Sequence, residues 1–129
     1  MIQSGVYNYV NVLDKAADAA WIRNDVISNN IANVDTPGYK RKDVQFESFL
    51  AAQVSGGNLD EQIAEIDLST LNSMTYTDSS QYSYRLDGNN VDINTESAEL
   101  AKNQLRYYTL MNSMTQEFSR IRTVLQKPS

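Results

Sequence analysis

Apolar residues recur at helical spacing in a long segment at each end of the chain, and this pattern constrains the fold more than any other feature. The first segment runs from Val6 to Val34, with apolar side chains at steps of three, four or seven residues: Val6, Val10, Leu13, Ala17, Ala20, Ile27, Ile31 and Val34. These steps place the side chains on one helix face, and the seven-residue repeat among them is typical of packing against another long helix. The segment predicts an amphipathic helix that ends near Val34 or Asp35.

The second segment begins after Asn94 and Thr95, either of which can cap the first turn of a helix. Glu96 follows, where the positive end of the helix dipole favours a carboxylate. The apolar stripe has the same steps, with Gln104 as its one interruption: Leu100, Tyr107, Met111, Met114, Phe118, Ile121 and Leu125. The helix is predicted to end at Lys127-Pro128, because proline stops a helical run.

Two such helices at opposite ends of a chain can bury their stripes by pairing. The predicted fold is therefore mainly α, with long N- and C-terminal helices in an antiparallel coiled coil and a small middle segment of loops and short strands. Further apolar residues widen the second stripe beyond what one partner covers: Leu105, Tyr108, Leu110 and Val124. Either neighbouring chains or the middle segment must cover that surplus.

The middle segment, residues 41–94, is more polar and shows several short patterns. It predicts a short amphipathic piece, a brief helix, two strands, and a turn followed by a third strand: Phe46–Val54, Leu59–Asp67, Met74–Thr77, Tyr82–Leu86, Asp87–Asn90 and Val91–Ile93.

Composition excludes several classes of function. The chain has no histidine and no cysteine, which removes the usual zinc ligands, the common nucleophile systems and any disulfide framework. The formal net charge is -5 and the basic residues are scattered, so nucleic acid is not an expected partner. No apolar run is long enough to span a membrane, and the N-terminus does not have the pattern of a cleavable signal peptide. We expect no enzymatic activity, no cofactor and no metal site.

Two acidic features resemble sites without meeting their requirements. Asp14, Asp18 and Asp25 share a side of the first helix, but nothing apolar encloses them, so a solvated face is the better interpretation than acid-base chemistry. The stretch LDGNNVDINTE has the composition of a calcium loop, but Asp92 occupies the position of the loop's glycine. That stretch is predicted to be a turn followed by a short strand.

The stretch SNNIANVDTPGYKR joins the first helix to the middle segment. Pro37 fixes φ and Gly38 supplies the positive φ that a type II turn over Thr36–Tyr39 requires. Three asparagines, Asn29, Asn30 and Asn33, precede this turn, although asparagine is unfavourable inside helices. We expect their amides to bond the last carbonyls of the helix or the backbone of a neighbouring subunit, in a junction with the middle segment held by polar contacts.

The same stretch resembles the N-terminal signature of bacterial flagellar axial proteins, the rod and hook family, in which NNIAN is followed by TPGYK. The segment from Asp87 to Met114 resembles one proximal-rod subunit of that family in particular. The resemblance implies a division into an N-terminal axial helix with its turn (1–40), a rod-specific middle segment (41–94) and a C-terminal axial helix (95–129).

The resemblance further implies a structural subunit that polymerises into a helical, torque-transmitting tube around the export channel. Its expected location is the basal-body rod across the periplasm, reached by type III export without a cleavable signal. The implied partners are further copies, other rod proteins, the junction protein FliE and the export apparatus. Implied assembly residues lie on both helices and in the turn: Leu13, Asn29, Asn30, Ile31, Asn33, Thr36, Pro37, Gly38, Tyr39, Leu100, Tyr107, Met111, Met114, Phe118 and Ile121.

Phe46 and Leu50 resemble an export-gate recognition element, a phenylalanine with an apolar residue four positions on. Docking of a short helix on the core is an equal alternative for this pair. For the whole chain, the alternatives are another rod subunit of the same family and a soluble helical adaptor or export chaperone; an enzyme is remote.

Overall fold

A computed structural model describes residues 2–53, 58–69, 71–78 and 86–126. Within these residues there are two long helices, two short helices and two strands, which follow one another as α1 (Ile2–Ala32), β1 (Lys42–Gln45), α2 (Glu47–Gln53), α3 (Leu59–Ala64), β2 (Met74–Thr77) and α4 (Ile93–Gln126). The long helices α1 and α4 pack together and a small antiparallel sheet lies between them in sequence. The predicted fold class is confirmed.

α1 ends at Ala32, slightly earlier than the predicted end near Val34 or Asp35. The backbone N–H of Asn33 donates to the carbonyl oxygens of both Asn29 and Asn30, at 3.1 and 3.2 Å, and the backbone N–H of Val34 donates to Ile31 O. The bonds that span three residues instead of four tighten the last turn, and the Pro-Gly turn follows.

α4 begins at Ile93, because Asp92 caps it in place of the predicted Asn94 or Thr95. Asp92 Oδ1 accepts from the backbone N–H of Asn94 at 3.0 Å and of Thr95 at 3.4 Å. The prediction of a strand at Val91–Ile93 is wrong for the same reason. Asp92 is the cap of α4, so Ile93 is already the first residue of the helix.

The middle segment is partly as predicted. α2, α3 and β2 fall within the predicted Phe46–Val54, Leu59–Asp67 and Met74–Thr77. The partner of β2 was not predicted: β1 pairs with it antiparallel, with Lys42 opposite Thr77 and Gln45 opposite Met74. The predicted strand at Tyr82–Leu86 lies outside the described residues except for Leu86, which is in a turn.

The core forms between α1 and the middle segment. One buried cluster joins side chains of α1 and α3, the residue just before α2 and the loop between α3 and β2: Val12, Ala19, Phe46, Ile63, Ile66 and Leu71. α1 therefore buries two faces, one against this cluster and one against α4. The middle segment covers α1 and leaves the stripe of α4 largely without cover, since only Glu96 and Asn103 of α4 are buried.

Candidate assembly site

The side chain of Asn30 joins three parts of the chain and is fully buried, with 0 % of its surface exposed. Its Nδ2 donates to Lys42 O at 2.7 Å and to Glu96 Oε2 at 3.1 Å. Its Oδ1 accepts from Lys42 N at 2.9 Å and from the Tyr39 hydroxyl at 3.3 Å. All four bonding positions of the amide are used, so Asn30 ties α1 to β1 and α4 by polar bonds alone.

An ion pair between Arg41 and Glu96 lies beside Asn30. Glu96 is only 1 % exposed, and its Oε1 accepts from Arg41 Nε at 2.5 Å. The same guanidinium contacts Asp43 at 3.2 Å and Asp78 at 3.4 Å. Burial acts to lower the pKa of Arg41, but the hydrogen bonds and charges of Glu96 and Asp43 outweigh it and raise that pKa above its ordinary value. Arg41 therefore stays charged, which gives buried Glu96 a cationic partner.

The loop 86–92 docks on the turn that follows α1. Asn89 is buried, and its Nδ2 lies 2.8 to 3.0 Å from three acceptors in the turn, the carbonyl oxygens of Asn33, Val34 and Thr36. The backbone of Gly38 donates to Asp87 O at 2.8 Å. These carbonyls lie beyond the regular hydrogen-bond ladder of α1, and a side chain distant in sequence binds all three of them.

We use the name polar junction for the group of five residues that make these contacts: Asn30, Arg41, Asp43, Asn89 and Glu96. A second charged group adjoins it, where Arg23 contacts Asp43 at 2.9 Å and Arg106 contacts Glu47 at 2.7 Å. Asn103 also lies at the seam of the long helices and donates to Ala20 O at 2.7 Å. A buried polar side chain at such a seam favours one register of the two helices over others.

The Pro-Gly turn has the predicted geometry. Gly38 has a φ of 73°, and Tyr39 N donates to Thr36 O at 3.2 Å. Gly88, in the docked loop, also has a positive φ of 79°. A Cβ at position 38 would contact nothing within 4 Å, so the requirement for glycine there comes from the backbone conformation and not from crowding.

We expect Gly38→Val to lower the free energy of unfolding by about 1 kcal/mol or more, because a β-branched residue resists a positive φ. Gly38→Asn is the matched control and should cost less, since asparagine tolerates a positive φ and a Cβ at this position meets no atom within 4 Å. Denaturant unfolding and swimming motility measure the two effects. Wild-type stability and motility of the valine variant would contradict the described turn.

The exposed face of α4 is the second part of the candidate site. Its stripe continues to the end of the helix, yet the large apolar side chains beyond Asn103 are half-buried or exposed. Phe118 is 55 % exposed and Leu125 is 72 % exposed. The surplus residues Leu105, Tyr108 and Val124 are more than 65 % exposed, so the single chain leaves this face to be covered by something else.

Comparison with known proteins decides the family. A family profile described as "Flagella basal body rod protein" matches residues 11–40. The flagellar basal body rod protein FlgB of Bacillus subtilis (strain 168) is 39 % identical over 88 % of this chain and 89 % of its own length. The chain belongs to the FlgB family of flagellar basal body rod proteins. FlgB of Borreliella burgdorferi is 34 % identical over 84 % of this chain and 89 % of its own, and FlgB of Escherichia coli K12 is 28 % identical over 81 % and 83 %.

The structure brings together the two sequence stretches that resemble this family. Asn30, Asn33, Thr36, Gly38 and Tyr39 all contact one another or the loop 86–92, whereas Asn29 and Pro37 have exposed side chains. Leu13, Ile31, Leu100, Tyr107, Met114 and Ile121 are half-buried, and Met111 and Phe118 are exposed. Phe46 lies in the core cluster with Leu50 packed against it.

Sequence reasoning missed the roles of Glu96, Arg41 and Asn89. Glu96 was assigned only to the first turn of the second helix, near the positive end of its dipole, but it is buried, and Arg41 and Asn30 reach it from distant parts of the chain. The resemblance covered both stretches and was the one available signal that they meet.

The carboxylates Asp14, Asp18 and Asp25 are exposed as predicted. Within the described ranges no group of acidic residues is placed to hold a metal ion, and no helix is long and apolar enough to cross a membrane.

Proposed function

We propose that this chain polymerises into the flagellar basal-body rod through the uncovered face of α4, while the polar junction fixes the shape of each subunit. Members of this family are structural rod proteins. The observation that supports the mechanism is that α4, 34 residues long, buries only Glu96 and Asn103 in the single chain. Its exposed apolar side chains are the kind of surface that soluble proteins cover by association.

The assembly residues divide into two groups under this proposal. One group acts within the subunit and holds the turn against α4: Asn29, Asn30, Ile31, Asn33, Thr36, Pro37, Gly38 and Tyr39. The other lies on the helix pair and contacts neighbouring subunits: Leu13, Leu100, Tyr107, Met111, Met114, Phe118 and Ile121. In the same proposal, residues 1–40 and 95–129 form the axial part of the rod, and residues 41–94 form its subunit-specific part.

The partners we propose are further copies, other rod proteins, FliE at the base of the rod and the type III export apparatus. The rod would cross the periplasm, and the chain would reach it unfolded and without a cleavable signal peptide. Two features support this route. The chain has no cysteine, so it cannot form wrong disulfides in an oxidising compartment, and its long-range polar junction can form after export.

Phe46 provides a test of export recognition, because it is 4 % exposed in the folded chain and accessible only before folding. We predict that Phe46→Ala lowers the secreted amount of the chain. Ile63→Ala is the matched control, since Ile63 belongs to the same core cluster and its loss also weakens packing. Immunoblots of secreted and cytoplasmic fractions measure both. Equal secretion of the two variants would assign Phe46 to packing alone.

The direct test of the proposed function is the location of the chain. A rod subunit is recovered in purified basal bodies, and cells that lack it have no hooks. A soluble adaptor or export chaperone stays in the cytoplasm and is absent from basal bodies. Quantitative mass spectrometry of purified basal bodies separates the two, and absence of the chain from them would contradict the proposal.

A further inference from the structure

Three aromatic rings lie side by side at the surface of the helix pair. Trp21 is 64 % exposed and its ring centroid is 5.8 Å from that of Tyr107, which is 6.2 Å from that of Tyr108. Together with Asn24 and Gln104 they line a cavity of about 210 Å³. Large aromatic side chains are enriched at the centres of protein interfaces, so the exposure of Trp21 and Tyr108 indicates a contact that the single chain does not make.

Two carboxylates flank this aromatic cluster. Asp18 and Asp25 lie one turn before and one turn after Trp21, on the same face of α1. Both are exposed, and neither has an ion-pair or hydrogen-bond partner in the parts of the chain that the structure describes. On the cavity wall, the buried Oδ1 of Asn24 also has no donor among those residues. Aromatic faces, carboxylates and a missing donor are together the features that bind a guanidinium group.

Among the residues that the structure describes, Arg122 is the arginine whose guanidinium has no partner. Four other described arginines each contact a carboxylate of their own chain: Arg23, Arg41, Arg106 and Arg120. Arg122 is exposed and has no such contact among the described residues. It lies 15 residues beyond Tyr107 on α4, about 22 Å along the helix, so it cannot reach Trp21 of its own copy.

The surroundings of Arg122 complement those of Trp21. Phe118 and Leu125 lie one turn before and one turn after Arg122 on the same face of α4, and both are exposed. One surface therefore has an arginine between two apolar side chains, and the other has a tryptophan between two carboxylates. Paired as helix faces, they bring the charge of Arg122 to Asp18 and Asp25 and cover apolar area on both sides.

We propose that Arg122 of one copy binds the site formed by Trp21, Tyr107, Tyr108, Asp18 and Asp25 on a second copy. The inference rests on the proposed function and adds to it the two faces that meet between subunits. Because the two faces differ, the contact is heterologous and can repeat from copy to copy along a helical assembly.

The absence of cysteine makes a cross-linking test specific, because introduced thiols are the only ones in the chain. The chain with Asp25→Cys and Arg122→Cys replaces the wild type in cells, and purified basal bodies are treated with a short bifunctional thiol reagent. We expect a covalent dimer of this chain. The control pairs Asp25→Cys with Arg120→Cys, two residues away on another helix face, and should give little dimer.

A charge exchange provides the second measurement. It tests the same pairing even if the cysteine variant fails to assemble. Arg122→Glu alone should reduce the number of completed hooks about tenfold or more, since a guanidinium bound by rings and carboxylates contributes more than 1.4 kcal/mol. Combining it with Asp18→Arg and Asp25→Arg reverses both faces and should restore hooks. Failure of this restoration would overturn the proposed pairing.

The remaining outcomes separate this inference from the proposed function. Complete rods without a dimer, or a cross-link to a different rod protein, would refute the pairing while leaving the chain a rod subunit. Absence of the wild-type chain from basal bodies would contradict both the proposed pairing and the proposed function as a rod subunit.

Discussion

A chain with Phe118→Asp is expected to be secreted normally but to be missing from the rod, so that cells make no hook or filament. Phe118 is 55 % exposed in the single chain, with the half-buried Met114 and Ile121 one turn to either side. A carboxylate placed in an apolar seam between subunits costs several kcal/mol even after the protein relaxes. During export the chain is unfolded, so that cost does not arise. In the isolated folded chain the aspartate would face water.

Ser119→Asp is the matched control, because it adds the same charge one residue away on an exposed position of α4. It should leave most hooks intact. The measurements are the amount of each variant outside the cytoplasm and the number of hooks per cell. Normal hooks with Phe118→Asp would show that this face of α4 is not an assembly surface and would favour a soluble helical adaptor.

The largest effect on stability is expected from Glu96→Ala. This change leaves the partly buried guanidinium of Arg41 without its closest partner and leaves one donor of Asn30 unbonded. Removing one partner of a buried ion pair typically costs about 3 to 5 kcal/mol. Denaturant unfolding of the purified chain measures the loss, and the double variant with Arg41→Ala should lose less than the sum of the two single changes.

Glu117→Ala is the control for this prediction, since Glu117, like Glu96, is a residue of α4 that pairs with an arginine. Its partner Arg120 has a side chain that is 76 % exposed, so water replaces the lost contact. Exposed pairs of this kind contribute about 0 to 1 kcal/mol. If the Glu96 and Glu117 variants lost equal stability, the polar junction would not hold the subunit together.

Features that depend on neighbouring residues in the chain could be predicted from the sequence. The two long helices follow from apolar residues at steps of three, four and seven, and the positive φ of Gly38 follows from the chemistry of a Pro-Gly turn. The wide stripe of α4 also predicted a surface that one partner helix does not cover. The cap of α4 was misplaced because Asp92, Asn94 and Thr95 are all competent caps, and the choice among them is made by the docked loop.

Features that depend on distant residues could not be predicted. Glu96 has the sequence context of a first-turn residue in solvent, and its burial depends on Arg41 and Asn30, which bind its two oxygens from distant parts of the chain. β1 was missed because its burial does not alternate: Asp43 and Val44 are adjacent and both buried, and Asp43 is held by two arginines. A short strand with this pattern has no period-two signal.

A cryo-electron microscopy structure of the intact basal body would show whether the exposed face of α4 is an assembly surface. We predict that this chain lies in the rod with its polar junction intact and with Phe118, Leu125 and Trp21, all exposed in the single chain, buried between subunits. A rod without this chain, or one in which the exposed face of α4 remains in solvent, would contradict it.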